Sequence, residues 1–351
     1  MGKYNFFYVL GLIPLTGLLI MKLALVGATG LVGRKMIEVL EERRIPITDF
    51  IPVASEHSVG TSIPYNNKDY LIITPEEAVA AQCDVALFSA GSIISKEWAP
   101  RFSHTGCYVI DNSSCWRMDD KIPLVVPEIN EDVLTTDTHI IANPNCSTIQ
   151  LVVALNPLHK AFGLKRIIVS TYQSVSGSGA KAIHQLEAER NQQPTHKVYP
   201  YRIDLNLLPH IDLFLESGFT KEEMKTVNES RKIMQVPELA VTATTVRVPV
   251  RLGHSESVYF ELDRKATTMD ILNVWKRSEG IIIQDNPAEN IYPMPRYCEN
   301  RDEVFVGRLR ADLFQPNAFN CWIVADNLRK GAATNAVQIL QALIHKNIIK
   351  H

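Results

Sequence analysis

A short apolar run, Leu23-Ala24-Leu25-Val26, opens into Gly27-Ala28-Thr29-Gly30-Leu31-Val32-Gly33, and helical periodicity follows from Arg34 to Glu42. Glycine at every third position between a strand and a helix leaves few possible folds. Such glycines let the backbone turn tightly and approach a pyrophosphate, which then rests on the free N–H groups of the helix N-terminus. The spacing is a variant of the dinucleotide fingerprint, and its strand and helix context predicts an α/β, Rossmann-type first domain. Gly27, Thr29, Gly30, Leu31 and Val32 are therefore candidate cofactor contacts.

The end of the second strand reports on the ribose. Phe50 to Ala54 reads as that strand, and Ser55-Glu56-His57-Ser58 follows it. A carboxylate at the strand tip bonds the 2′-hydroxyl of NAD, whereas hydroxyls and a cation suit a 2′-phosphate. Ser55, His57 and Ser58 thus favour NADP, with Glu56 as the competing NAD reading. Val85–Phe88 leads into Ser89-Ala90-Gly91, and Tyr108–Ile110 into Asp111-Asn112-Ser113. A strand followed by small residues marks the carboxyl edge of a parallel sheet, which adds Ser89 and Gly91 to the cofactor set. Beyond position 146 the pattern changes. A helix is expected over Ser147–Phe162, then β-rich runs at Arg166–Tyr172, Ala240–Val250, Ser257–Glu261 and Ala318–Ala325, and a last helix through Leu343. These runs predict an α+β domain with a mixed sheet over residues 148–326. The nucleotide domain would cover 21–147 and be completed by residues 327–351.

With 351 residues, about two domains are expected. A formal net charge of −2 without any Lys/Arg run argues against nucleic acid as a partner. Six scattered cysteines without a C-x-x-C pair or a His/Cys cluster imply no metal site and a reducing, cytoplasmic setting. Five of the six are expected to be small buried hydrophobes. Phe6–Ile20 is apolar but short for a membrane span, so no stable membrane association is expected. Met21 is favoured as the true start, with residues 1–20 an upstream extension rather than a signal-peptide core.

One cysteine stands apart. Cys146, in Asn143-Pro144-Asn145-Cys146-Ser147-Thr148, lies just before a helix, where first-turn N–H groups lower a thiol pKa and hold an oxyanion. Asn145 is placed to donate to the same oxygen. The best proton partner among ten histidines is His254, in Arg251-Leu-Gly-His254-Ser-Glu-Ser, although an ordinary loop histidine is an equal reading from residue chemistry alone.

From Met21 onward the chain resembles the aspartate-β-semialdehyde dehydrogenase family, in its Gram-positive-type branch. The glycine run, the Asn-Pro-Asn-Cys-Ser-Thr run, Gln173-Ser-Val-Ser-Gly-Ser-Gly179, the Arg-Val-Pro-Val-Arg-Leu-Gly-His-Ser-Glu-Ser run and Asp326-Asn-Leu-Arg-Lys-Gly-Ala-Ala333 carry the resemblance. It implies NADPH-dependent reduction of L-aspartyl 4-phosphate to L-aspartate 4-semialdehyde and phosphate through a cysteine thioester. That reaction serves the biosynthesis of diaminopimelate, lysine, threonine and methionine. It further implies a homodimer, or a dimer of dimers, built through the second domain's sheet.

By motif, Cys146 resembles the nucleophile, His254 the acid/base and Gln173 the residue that orients the acyl group. Arg247 resembles the grip on the substrate α-carboxylate, Arg117 and Lys225 the phosphate binders, and Glu222 the partner of the substrate ammonium. Ser176, Gly177 and Asn327 would lie near the cofactor. The competing readings are a surface ion pair for Glu222 and Lys225, a surface pair for Arg117 and an N-cap for Asn327. The family often has Arg where His57 stands. Two rival functions are an N-acetyl-γ-glutamyl-phosphate reductase and a catalytically idle nucleotide-binding redox sensor.

Overall fold

The alternating side chains of the first strand enter two different cores. Leu23 and Leu25 pack with Met36, Leu40, Ile339 and Leu343, whereas Ala24 and Val26 pack with Trp98 and Phe102 on the other side. A strand buried on both faces belongs in the middle of a helix-covered parallel sheet, and that is where the computed structural model, which describes residues 21–349, places it. In chain order the first strands are β1 (Lys22–Val26), β2 (Asp49–Val53), β3 (Ser62–Tyr65), β4 (Lys68–Leu71), β5 (Val85–Phe88), β6 (Tyr108–Asp111) and β7 (Ile140–Ala142). The sheet order is β2-β1-β5-β6-β7, all parallel, with β3 and β4 forming a separate hairpin. The apolar run at residues 6–20 lies outside the described residues.

The second sheet contains β8 (Leu164–Gln173), β9 (Ala240–Arg247), β10 (His254–Leu262), β11 (Ile281–Ile283), β12 (Val304–Ala311) and β13 (Ala318–Ala325). Its order is β11-β12-β13-β10-β8-β9, with parallel and antiparallel pairs. Helix Cys146–Phe162 is buried along nearly its whole length and packs on this sheet's inner face. The chain is thus an α/β protein with a Rossmann-like parallel sheet and a mixed-sheet unit.

After β13 the chain returns to the first sheet. A π-helical turn over Arg329–Ala333 runs into helix Thr334–His345, which lies beside helix Leu31–Glu42. Inside the turn, the buried Lys330 ammonium donates to Glu128, Asn335 and Gln338. Arg329 pairs with Asp302 and Glu42. No described helix is long and apolar enough to cross a membrane.

Candidate active site

Strand ends determine which side chains meet. Cys146 follows β7 by four residues and is the first residue of its helix. Gln173 and Arg247 are the last residues of β8 and β9 and stand side by side in register. His254 is the first residue of the antiparallel β10 and pairs with Ala325, the last residue of β13. The carboxyl edge of the parallel sheet therefore meets one edge of the mixed sheet at the thiol.

Hydrogen bonds tie this junction together. Asn145 caps the helix, its Oδ1 accepting from Ser147 N at 3.0 Å. Its Nδ2 donates to Glu222 Oε1 at 2.9 Å, and its backbone N–H donates to Glu229 Oε2 at 2.7 Å. Asn145 thus uses its amide oxygen in the cap and one amide N–H on Glu222, which leaves its second N–H for another acceptor. Gln173 Nε2 donates to Ser147 Oγ at 2.6 Å, and its side chain is buried. Glu222 Oε2 accepts from Lys225 Nζ at 2.9 Å, and the same ammonium reaches Asp212. Glu222 is only 5% exposed, so the surface-pair reading of Glu222 and Lys225 fails. Arg117 is buried as well, donating to Asn143 O, Asn112 O and Glu229 Oε1.

The electrostatics reverse one expectation. A thiol at a helix N-terminus should titrate low, yet Cys146 is pushed up to about 11. Burial is the largest cause and the Glu222 carboxylate the next; Arg247 and Arg117 pull the other way without prevailing. Burial and the Arg247 cation together hold His254 down at about 3. Ser174 N–H donates to His254 Nδ1 at 3.1 Å, which leaves the ring proton on Nε2. Nε2 has no partner among the described residues. Gly177 keeps the space above it open, since a Cβ there would lie 3.0 Å from Arg247 Nη1 and 3.3 Å from His254 Nε2. Arg247 itself donates from Nη1 to Ser174 O at 2.7 Å, while its buried Nε has no partner among the described residues.

At the carboxyl ends of β1, β2 and β5 lies a cleft of about 630 Å3, lined by Gly27, Thr29, Gly30, Ser55, His57 and Ser89 among others. Leu31 and Val32 form the first turn of the helix that Gly30 caps. Ser58, Gly91, Ser176, Gly177 and Asn327 are not among the residues lining this cleft. Asn327 is not an N-cap. Its Oδ1 accepts from Ser174 Oγ, Ser176 Oγ and Gly253 N, so it knits together the loops around His254. The turn needs glycine at Gly27 for a steric reason: at φ +89° a Cβ there would strike Ser89 O at 2.5 Å.

Two family models match the chain: "Semialdehyde dehydrogenase, NAD binding domain" over residues 22–136 and "Semialdehyde dehydrogenase, dimerisation domain" over residues 155–330. The aspartate-semialdehyde dehydrogenase of Aquifex aeolicus is 50% identical over 338 residues, covering 93% of this chain and 99% of that protein. This chain belongs to the aspartate-semialdehyde dehydrogenase family. The Bacillus subtilis member is 44% identical over 339 residues, covering 93% and 98%. Among solved structures, aspartate semialdehyde dehydrogenase II of Vibrio cholerae, in complex with ASA, superposes with a TM-score of 0.89 at 42% identity, covering 93% and 98%.

Three residues of this family member escaped the sequence reading. Glu229 lies seven residues after Glu222 on helix Lys221–Met234 and joins Arg117 to the Cys146 turn. That spacing along one helix face was its only signal. Ser147 and Ser174 sat inside recognised motifs, but nothing local showed that they bind Gln173 and His254. Of the five cysteines expected to be buried, Cys115 is only half-buried.

Proposed function

We propose that this chain catalyses the NADPH-dependent, phosphate-releasing reduction of L-aspartyl 4-phosphate to L-aspartate 4-semialdehyde, with Cys146 forming a thioester. The observation that carries the reading is the convergence of one half-buried thiol, a histidine with a free Nε2–H and two buried arginines at the junction of the two sheets. The relatives named for this reaction match over almost their full length.

The partnerless Nε of Arg247 suits the substrate α-carboxylate, and Glu222 suits its ammonium. Binding that ammonium would neutralise the charge that most opposes the thiolate after burial, so substrate itself would ready Cys146. As Sγ adds to the acyl carbon, Arg117 and Lys225 stabilise the phosphate that leaves. Gln173, held by Ser147, orients the acyl group beside the sulfur. With the ring proton moved to Nδ1, the Ser174 hydroxyl 3.1 Å away accepts it. His254 Nε2 then takes the proton of the attacking thiol, gives it to the oxyanion left by hydride transfer, takes it back as the thiohemiacetal collapses and returns it to the departing sulfur. Bound NADP supplies the hydride chemistry. Gly27, Thr29, Gly30, Leu31 and Val32 would hold its pyrophosphate, and Ser55, His57 and Ser58 its 2′-phosphate.

We read residues 21–147 with the C-terminal segment from 327 as the nucleotide unit, and 148–326 as the catalytic unit. The chain would form a homodimer through the outer face of the mixed sheet, where Ile168 is exposed. Six free thiols suit a reducing cytoplasm. The test is phosphate-dependent reduction of NADP with each of two semialdehydes. L-aspartate 4-semialdehyde is expected to be turned over, and N-acetyl-glutamate semialdehyde is not, because Glu222 would face an acetylated nitrogen. The opposite preference would reject the reading.

A further inference from the structure

The catalytic edge of the mixed sheet rests on a second row of polar residues that the reaction does not use. One row in from Arg247, Gln173 and His254, on the same buried face, stand Thr245, Thr171 and Glu256. Thr245 pairs with Thr171, and Thr171 pairs with Glu256. The next row is apolar: Ala243, Val169, Val258 and Cys321. Above the middle row sits Gln150, one helical turn beyond Cys146. A polar layer enclosed on every side is costly unless its members satisfy one another.

Glu256 is fully buried, and neither carboxyl oxygen has a hydrogen-bond partner among the described residues. Gln150 is 1% exposed, and both atoms of its amide are likewise without partners. Among the described residues Gln150 is the one side chain that bears on Glu256 as a hydrogen-bonding neighbour, and no described cation offsets a charge there. Burial pushes Glu256 well above the usual carboxylate range. A neutral carboxylic acid and a primary amide are complementary: the acid O–H donates to the amide oxygen, and the amide N–H donates to the acid carbonyl. The terminal torsions of both side chains are soft enough to close such a ring.

We propose that Glu256 is a positioning residue that works as a protonated acid paired with Gln150, a strut holding the Cys146 turn of the helix at a set distance from the His254 end of β10. The strut joins the two elements that carry the thiol and the imidazole, one helical turn beyond Cys146 and two residues along β10 from His254. Neutrality is part of its function. A carboxylate at this depth would add to Glu222 in opposing the thiolate and would favour a charged His254. The inference rests on the reading of Cys146 and His254 as the working pair, so its test includes a readout that needs no turnover.

Glu256→Gln keeps the shape and neutrality of the pair and is expected to retain kcat, KM and the pH–rate profile. Glu256→Leu and Gln150→Leu each remove one side of the strut. Each is expected to lower kcat on the order of 10²-fold with KM unchanged, the effect of a misplacement of about 1 Å at the reacting atoms. The double Leu variant is expected to fall no further than either single one, because the pair acts as a unit. Gln150→Leu reads the same contact from the helix if Glu256→Leu does not fold. Independently of activity, an infrared spectrum at neutral pH is expected to show a carboxylic-acid C=O band that disappears in Glu256→Gln. No such band, a displaced pH–rate profile in Glu256→Gln, or parental kcat in both Leu variants would overturn the proposal.

Discussion

Cys146 and His254 are both neutral in the ligand-free protein over a wide pH window, because burial acts on each in the direction that removes its charge. Burial holds the thiol up at about 11 and the imidazole down at about 3, so both are predominantly neutral near pH 7 and the small thiolate fraction grows with pH. Alkylation of Cys146 by iodoacetamide is accordingly expected to rise with pH from neutrality to about pH 10 without a plateau. A plateau near pH 7 would show a thiolate already stabilised. Glu222→Gln removes an anion that raises the thiol pKa, so the pKa must fall and labelling at pH 7 must quicken several-fold, while the substrate KM rises. Slower labelling would place the Glu222 charge elsewhere. Arg247→Leu is expected to raise the substrate KM about 10²-fold through the lost charge-assisted bonds, with less effect on kcat; an unchanged KM would end its assignment to the carboxylate. The motifs made these residues legible, but their ionisation was not. The helix position of Cys146 was visible in the sequence, whereas the burial and the Glu222 contact that outweigh it arise from segments 76 residues apart in the chain.

At the scale of elements, most strands were legible because apolar runs bounded by small or turn residues leave little choice of length. The runs Val85–Phe88 and Ala318–Ala325 coincide with β5 and β13. Strand β9 stops at Arg247 rather than Val250, since Arg247 exchanges both backbone bonds with Leu208 and Pro249 offers no N–H to prolong a ladder. The π-helical turn over Arg329–Ala333 had no local signal. Its geometry follows from tertiary demands: Asp326 Oδ1 captures the N–H groups of Leu328 and Arg329, and Gly331 lies so close to Cys146 that a Cβ would approach the cysteine Cβ to 3.0 Å. The third fingerprint glycine makes an element-scale prediction. A methyl at Gly33 would sit 2.2 Å from Gly27 O, so the helix must back away from β1 and carry its N-terminus off the pyrophosphate. Gly33→Ala is expected to raise the NADP KM about tenfold or more. Titration with the semialdehyde should show substrate affinity little changed. An unaltered NADP KM would mean that the fingerprint helix does not hold the nucleotide.

Across the whole molecule, the proposed function depends on two sheets meeting at one residue. The parallel sheet brings its carboxyl ends to the nucleotide cleft and, through β7, to Cys146; the mixed sheet brings Gln173, Arg247 and His254 to the same point. The C-terminal helix closes the arrangement by returning to the first sheet, and the buried Lys330 of the π-helical turn before it locks the return to Glu128. This two-sheet plan was readable from the change in periodicity after Cys146, while the way its edges meet was not, because register and packing set it. The central claim is that acyl transfer and hydride transfer are separate steps joined by a thioester on Cys146. The direct measurement is a rapid-mixing experiment with enzyme, NADP and L-aspartate 4-semialdehyde in the absence of phosphate. The account expects a burst of NADPH stoichiometric with functional sites, then arrest until phosphate is added, and no burst from Cys146→Ser. Steady turnover without phosphate, or no NADPH until phosphate arrives, would contradict it.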